Sequence, residues 1–186
     1  MPVVTVSQTM AGFVIRYKES VSKPTIGWGH VDAVLPGGAP FGFYPDGDEG
    51  DFARATGHTG GVYDYALLSA RRPAYVDIPS AKAAPCRSVL VLLDCSAAAG
   101  RTLWSYWGYL RSRAPTYRGI GANCATYVAE GMEEAGLLSG GIDGIDTPDG
   151  LYNHLLRRKV KTYIFEGFFG FKPATKPGEF TVTRED

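Results

Sequence analysis

The chain has 186 residues, and 19 Lys and Arg balance 19 Asp and Glu at a sequence pI near 6.8, so no global field steers it to nucleic acid or an anionic membrane. Apolar residues make up 45% of it, yet no run approaches the roughly 18 uninterrupted positions that a spanning helix needs, which excludes a helical transmembrane segment. This length buries one sizeable core, and the expectation is a single α+β domain over residues 1–186.

The opening MPVVTVSQTMAGFVIRYKES alternates like a strand and lacks the basic start and apolar block of a secretory signal. The expectation is a protein of the producer's cytoplasm, or one exported by a machine that reads no such signal. VVTVSQ and GFVIRYKE predict two early strands. TIGWGHVDAVL, then PGG, then FGFYP predicts a hairpin. Residues 46–61, DGDEGDFARATGHTGG, are rich in Gly and charge and predict an exposed loop insertion. SVLVLLD, from Ser88 to Asp94, is a continuous apolar run suited to a central strand buried on both faces. SAAAGRTLWSYWGYLRSR places Leu103, Trp107 and Leu110 at helical spacing, with Pro115 just beyond its end. NCATYVAEGMEEAG predicts a second helix, and TPDGLYNHLLRRK a third, with Thr147 as N-cap and Pro148 at its first position. From Phe171 onward the chain is Lys- and Pro-rich, which predicts a loosely held tail over 171–186.

Three cysteines, Cys86, Cys95 and Cys124, are too few and too unevenly spaced for a disulfide framework or a CxxC metal site. Cys86 and Cys95 flank the central strand and are assigned to packing; nine residues apart, they fall on opposite faces of a continuous strand. Cys124 differs from both. Asn123 is a good N-cap residue, so Cys124 takes the first helical position, where unpaired N–H groups and the helix dipole favour an anion such as a thiolate. Tyr127, Val128, Met132 and Ala135 share its helix face, which turns the thiol toward the body of the protein. Space filling in the core is the competing role for such a thiol.

A cysteine nucleophile needs a base, and the base needs a third group to orient it. Of three histidines, His58 lies in the glycine loop and His154 beside Arg157 and Arg158 in a helix, which leaves His30. On a strand, Trp28, His30 and Asp32 share one face, while Gly27 and Gly29 leave the other bare for a close approach. Folding the hairpin about residue 37 or 38 sets Tyr44 or Asp46 opposite His30. Asp46 is the first choice for the third group and Asp32 the second, with Tyr44 as a packing or substrate-contact residue.

GWGHVDAVL with FGFYPDG, a central strand and helix, and then Y-x5-NCATYVAEGMEEAG resembles the circularly permuted branch of the NlpC-type papain-fold hydrolases, in order and spacing over roughly residues 25–136. In that branch the histidine strand precedes the cysteine helix. The resemblance implies an antiparallel sheet packed on the cysteine helix, with Cys124 as nucleophile, His30 as base and a third polar group near Asp46. It also implies a site lined by Tyr117, and Trp28, Tyr44 and Asn123 complete the candidate substrate contacts. The chain departs from familiar members in lacking a second histidine across the hairpin and in carrying the insertion after it.

Signal-free proteins with a GFYP-like second strand resemble type VI secretion effectors that cut peptidoglycan peptides in a rival's periplasm. The expected activity is therefore amide hydrolysis of a peptidoglycan stem peptide, without metal or organic cofactor, and with an immunity protein and a secretion-machine carrier as implied partners. Two alternatives stand beside it. One is a thioester-forming lipid acyltransferase or esterase whose acyl channel is lined by WSYWGY and YIFEGFFGF; the other is an inert binding module of the same fold.

Overall fold

A computed structural model describes residues 2–17, 29–45, 57–113, 115–138, 147–157 and 161–186. Among the described residues eight strands form one antiparallel sheet: β1 (Val3–Val4), β2 (Met10–Arg16), β3 (His30–Val34), β4 (Pro40–Pro45), β5 (Gly60–Tyr63), β6 (Ser88–Asp94), β7 (Thr162–Pro173) and β8 (Phe180–Glu185). Their spatial order is β1-β8-β7-β6-β2-β3-β4-β5. The helices among the described residues are α1 (Tyr65–Arg71), α2 (Ile78–Ala83), α3 (Ala97–Arg113), α4 (Cys124–Glu134) and α5 (Pro148–Leu156), with a 3-10 turn over Pro73–Tyr75. The class is α+β.

Strand periodicity sorts the core into two layers. On β6, Val91 and Leu93 face α3, α4 and α5, whereas Leu90 and Leu92 face α1, the 3-10 turn and α2. A strand covered on both sides reads as an unbroken apolar run, as SVLVLLD does. Leu103, Trp107 and Leu110 of α3 are buried in the first layer with Tyr106. Cys95 also lies in that layer and Cys86 in the other, so the sheet separates the two packing thiols. None of the three cysteines is in a disulfide, and all three are buried. Trp107 and Phe169 are likewise almost wholly buried, so these members of the two aromatic segments pack the core.

The β3–β4 hairpin turns through Gly37 and Gly38, both at positive φ (85° and 90°), where a side chain would be strained. Leu35 N–H donates to the Ala39 carbonyl across this turn. The register that follows pairs Ala33 with Phe41 and Val34 with Pro40. Continued, it sets Tyr44 opposite His30. β3 and β4 pair only near the turn, and the ladder ends before it reaches His30.

Two expectations need correction. The segment 46–61 does not end as a loop: Thr59 bridges Thr116, and Gly60–Tyr63 pairs with β4 as an edge strand, because Val62 and Tyr63 bury their side chains in opposite layers. Residues 46–56 of that insertion lie outside the described residues. Nor are residues 171–186 a loose tail. Phe171 and Val182 are buried neighbours in the β7–β8 ladder, and the Lys and Pro that suggested looseness sit at the turn between these strands. Among the described residues no helix is long and apolar enough to cross a membrane.

Phe171→Ala is therefore expected to lower unfolding free energy by about 3–5 kcal/mol, the cost of emptying a buried aromatic site. A urea titration measures it, and a loosely held tail would leave the midpoint where it was.

Candidate active site

The sequence places His30 and Asp32 two residues apart on β3, and in a strand that spacing puts both side chains on one face. Both are buried, His30 at 3% and Asp32 at 0% exposure. The His30 Nε2–H donates to Asp32 Oδ1 at 2.9 Å. The neighbouring strand supplies the cation: Arg16 is the cross-strand partner of His30, and its Nε–H reaches diagonally to Asp32 Oδ2 at 3.2 Å. From β4, the Tyr44 hydroxyl donates to Asp32 Oδ1 at 2.6 Å. Three donors thus converge on one carboxylate.

Aromatic rings enclose this network. His30 stacks on Tyr44 with centroids 4.2 Å apart and lies 5.7 Å from Tyr75. The Arg16 guanidinium sits 5.2 Å from the Tyr75 centroid and 5.5 Å from that of Phe171. Gly42 leaves the room: a Cβ there would stand 2.1 Å from Asp32 Oδ1 and 2.5 Å from the Tyr44 ring.

Cys124 comes from the other side of the sheet. Asn123 caps α4, its Oδ1 accepting from Ala125 N–H at 2.9 Å and Thr126 N–H at 3.2 Å, while Thr126 Oγ1 accepts from Asn123 N–H at 3.3 Å. The Asn123 amide nitrogen donates to the Gly119 carbonyl at 2.8 Å. The structure thus gives Asn123, expected as a substrate contact, the work of holding the helix start. The cap takes the N–H groups of Ala125 and Thr126 but not that of Cys124 itself.

The helix α4 packs on β3 and β4, and the thiol meets the imidazole at the end of β3, beyond the last β3–β4 pair. A negative charge on Cys124 would favour the charged form of the ring, the largest of the influences that raise it. With Nε2 held by Asp32, Nδ1 is the second ring nitrogen and is buried as well.

The charges are mutually supporting. Burial pushes the His30 pKa down, but the pull of Cys124 and then of Asp32 overcomes it and raises the value to about 9. Burial pushes Asp32 up, and His30, Arg16 and Tyr44 together hold it below the ordinary carboxylate range. Burial and the Asp32 charge push Tyr44 well up, so it stays a donor. Because the folded His30 value lies above 6.5, its contribution to stability is complete below about pH 6.5 and is lost as pH rises through about 9.

Tyr117 stands at the same place. Burial and the Cys124 charge push its pKa up, its ring stacks on Phe43 at 5.9 Å, and its backbone is tied to Gly57 and His58. His58 is exposed, and its carbonyl accepts from Tyr117 N–H. His154 is half-buried on α5.

Of the sequence candidates, the structure brings together Cys124, His30, Asp32, Tyr44 and Tyr117. Asp46, the first choice for the third group, and Trp28 lie outside the described residues; the carboxylate that holds His30 is Asp32. Tyr44 contacts that carboxylate directly. The sequence reading missed Arg16, Gly42 and Tyr75. Only the β2–β3 register, which pairs Arg16 with His30, would have marked the first. Among the described residues no group of three or more His, Cys, Asp or Glu side chains is placed to hold a metal ion.

Comparison with protein-family models, curated proteins and solved structures finds no match to this chain.

Asp32→Asn removes the carboxylate charge that favours the imidazolium, so the His30 titration is expected to move down from about 9, measured by NMR of the ring protons. An unmoved titration would mean that Asp32 does not govern the ring. Gly42→Ala forces Asp32 or Tyr44 aside; it should cost about 1–3 kcal/mol of stability in a denaturant titration and lower the His30 titration as well.

Proposed function

We propose that this protein is a cysteine hydrolase of the permuted papain type, with Cys124 as nucleophile, His30 as acid and base, and Asp32 as the group that orients His30. The observation that carries this reading is the buried series Cys124, His30, Asp32 and Arg16, in which a thiol at a capped helix start faces an imidazole that a fully buried carboxylate holds from behind. A packing cysteine requires neither the histidine nor the buried ion pair behind it, whose desolvation is costly.

The chemistry follows from the charges. With its pKa raised to about 9, His30 is an imidazolium at neutral pH, and in this reading the form of Cys124 that attacks beside that cation is the thiolate. The Cys124 sulfur attacks the carbonyl carbon of an amide, and the carbonyl oxygen takes the negative charge. The Cys124 N–H, at the positive end of α4, is the donor offered to that oxyanion. His30 then gives its Nδ1 proton to the leaving amine, and a thioester remains on Cys124. Neutral His30 next takes a proton from water, the hydroxide adds to the thioester carbon, and the acid departs as the thiolate and imidazolium re-form. Asp32 stays ionised throughout and keeps Nε2–H as its donor.

The substrate we infer is a peptidoglycan stem peptide cut in a rival cell, with delivery by a type VI secretion machine and an immunity protein in the producer. The support is the resemblance carried by GWGHVDAVL, FGFYP and the NC helix.

The test is mass spectrometry of purified peptidoglycan fragments after incubation with the protein. Wild type is expected to leave new amine and carboxyl ends, and Cys124→Ala to slow this by at least about 10⁴-fold. Equal product from both proteins would refute the reading. The rate should also fall as pH rises through about 9, because His30 then lacks the proton that the leaving amine requires. A rate still climbing at pH 10 would remove His30 from that role.

A further inference from the structure

The proton between His30 and Asp32 has two places to rest. Nε2 of the ring and Oδ1 of the carboxylate are 2.9 Å apart. Transfer along that bond turns the ion pair into a neutral imidazole and a carboxylic acid, and a dry site favours neutral partners over two buried ions. Asp32 has no exposure to water and His30 only 3%, so solvent does not hold these charges apart. Another group must keep the proton on the ring.

The groups that face Asp32 come from each element packed on it. Its own strand, β3, supplies His30. From β4 the Tyr44 hydroxyl donates to the same Oδ1 at 2.6 Å, and from β2 the Arg16 Nε–H donates to Oδ2 at 3.2 Å. The 3-10 turn adds Tyr75, whose hydroxyl burial and the charges of Cys86 and Asp32 push well up against the opposing pull of Arg72 and Arg16, so it stays a neutral phenol. Of these groups, Arg16 is the arginine in contact with the carboxylate.

How Arg16 is held shows what it supplies. It is 2% exposed, with its guanidinium 5.2 Å from the Tyr75 centroid and 5.5 Å from that of Phe171 on β7. An arginine that grips a carboxylate by hydrogen bonds commonly uses two parallel N–H groups. Here the contact is through Nε, at the long end of the range, and Nη2 is buried with no hydrogen-bond partner. Burying a donor in this way is costly, so the contribution of Arg16 is charge rather than hydrogen bonding.

We propose that Arg16 is a positioning residue whose charge, acting through Asp32, keeps the shared proton on His30. The proposal rests on the cysteine hydrolase reading and deepens it by adding the residue that sets the form of the acid. Removing a cation raises the proton affinity of both partners, but Arg16 bonds to Asp32, so the carboxylate gains more and the proton moves toward it. His30 first, then Arg16 and Tyr44, hold Asp32 below its ordinary value of 3.8; its ionised form is therefore complete above that value and is lost as pH falls. Without Arg16 that loss begins at higher pH.

The experiment follows the Asp32 carboxyl carbon by NMR, and the pH profile of peptidoglycan-fragment cleavage, in wild type, Arg16→Gln and Arg16→Lys. Glutamine keeps a donor and loses the charge, whereas lysine keeps the charge. Arg16→Gln is expected to raise the pH at which Asp32 takes up its proton. It should also move the acid limb of the rate up by at least about one pH unit, the low end of what an adjacent arginine does to a carboxylate. Arg16→Lys is expected to keep both largely in place. An unmoved carboxyl titration in folded Arg16→Gln overturns the proposal, as does a rate lowered equally at every pH, the mark of a structural role; both leave the hydrolase reading intact. Wild type that cuts no fragment counts against the hydrolase reading, while the titration, which needs no turnover, still decides where the proton rests. Should Arg16→Gln not fold, wild type at about pH 6 gives a second measurement, and protonated ring nitrogens beside an ionised Asp32 are expected. A neutral ring beside a protonated Asp32 overturns the proposal.

Discussion

A carboxylate with no exposure to water is the constraint on which the rest depends. Asp32 is the negative centre of a row in which Arg16 and the His30 imidazolium face it from two sides and the Cys124 sulfur lies beyond the ring. Moving any one of these ions from water into the interior costs several kcal/mol, and the row survives because each charge faces an opposite one and Asp32 accepts from three donors. Four elements deliver these groups: β2, β3, β4 and α4. The glycine turn of the hairpin, the absent side chain at Gly42 and the cap on α4 all serve to bring them to one point.

The sheet itself is interrupted where the chemistry lies. Cys124 belongs to the apolar layer under α3, α4 and α5, and the His30 ring stacks among tyrosines of the opposite layer. A continuous β3–β4 ladder would hold them apart. The ladder stops at Ala33 and Phe41, and beyond it thiol and imidazole meet round the end of the strand. Losing those backbone pairs is a local cost to the sheet, and it lets a side chain from a helix on one face approach an imidazole on the other.

What the sequence made legible were features governed by local rules: the buried central strand, the capped helices, the hairpin turn and the thiol at a helix start. His30 emerged by elimination among three histidines, and Asp32 because a strand repeats every second residue. The remainder depended on register. Tyr44 and Asp46 are separated only by whether the turn centres on residue 37 or 38, and that choice is made by the pairing of Ala33 with Phe41. Arg16 looked like the polar half of an alternating strand; its burial follows from lying beside His30, a relation between strands that no single segment encodes. The last strands were hidden by composition. Lys172, Pro173, Lys176 and Pro177 belong to a turn and its edges, while the alternation of Phe169, Phe171 and Val182 carries the burial.

A histidine raised to about 9 also changes where selectivity resides. A buried imidazolium gives the proposed nucleophile a standing counter-charge, so in that reading a substrate has chiefly to reach it. Cys124 and His30 are 5% and 3% exposed, so approach is narrow and the groups around it decide what enters. Tyr44 and Asp32 are committed to each other, and Tyr75 is packed against Arg16 and His30.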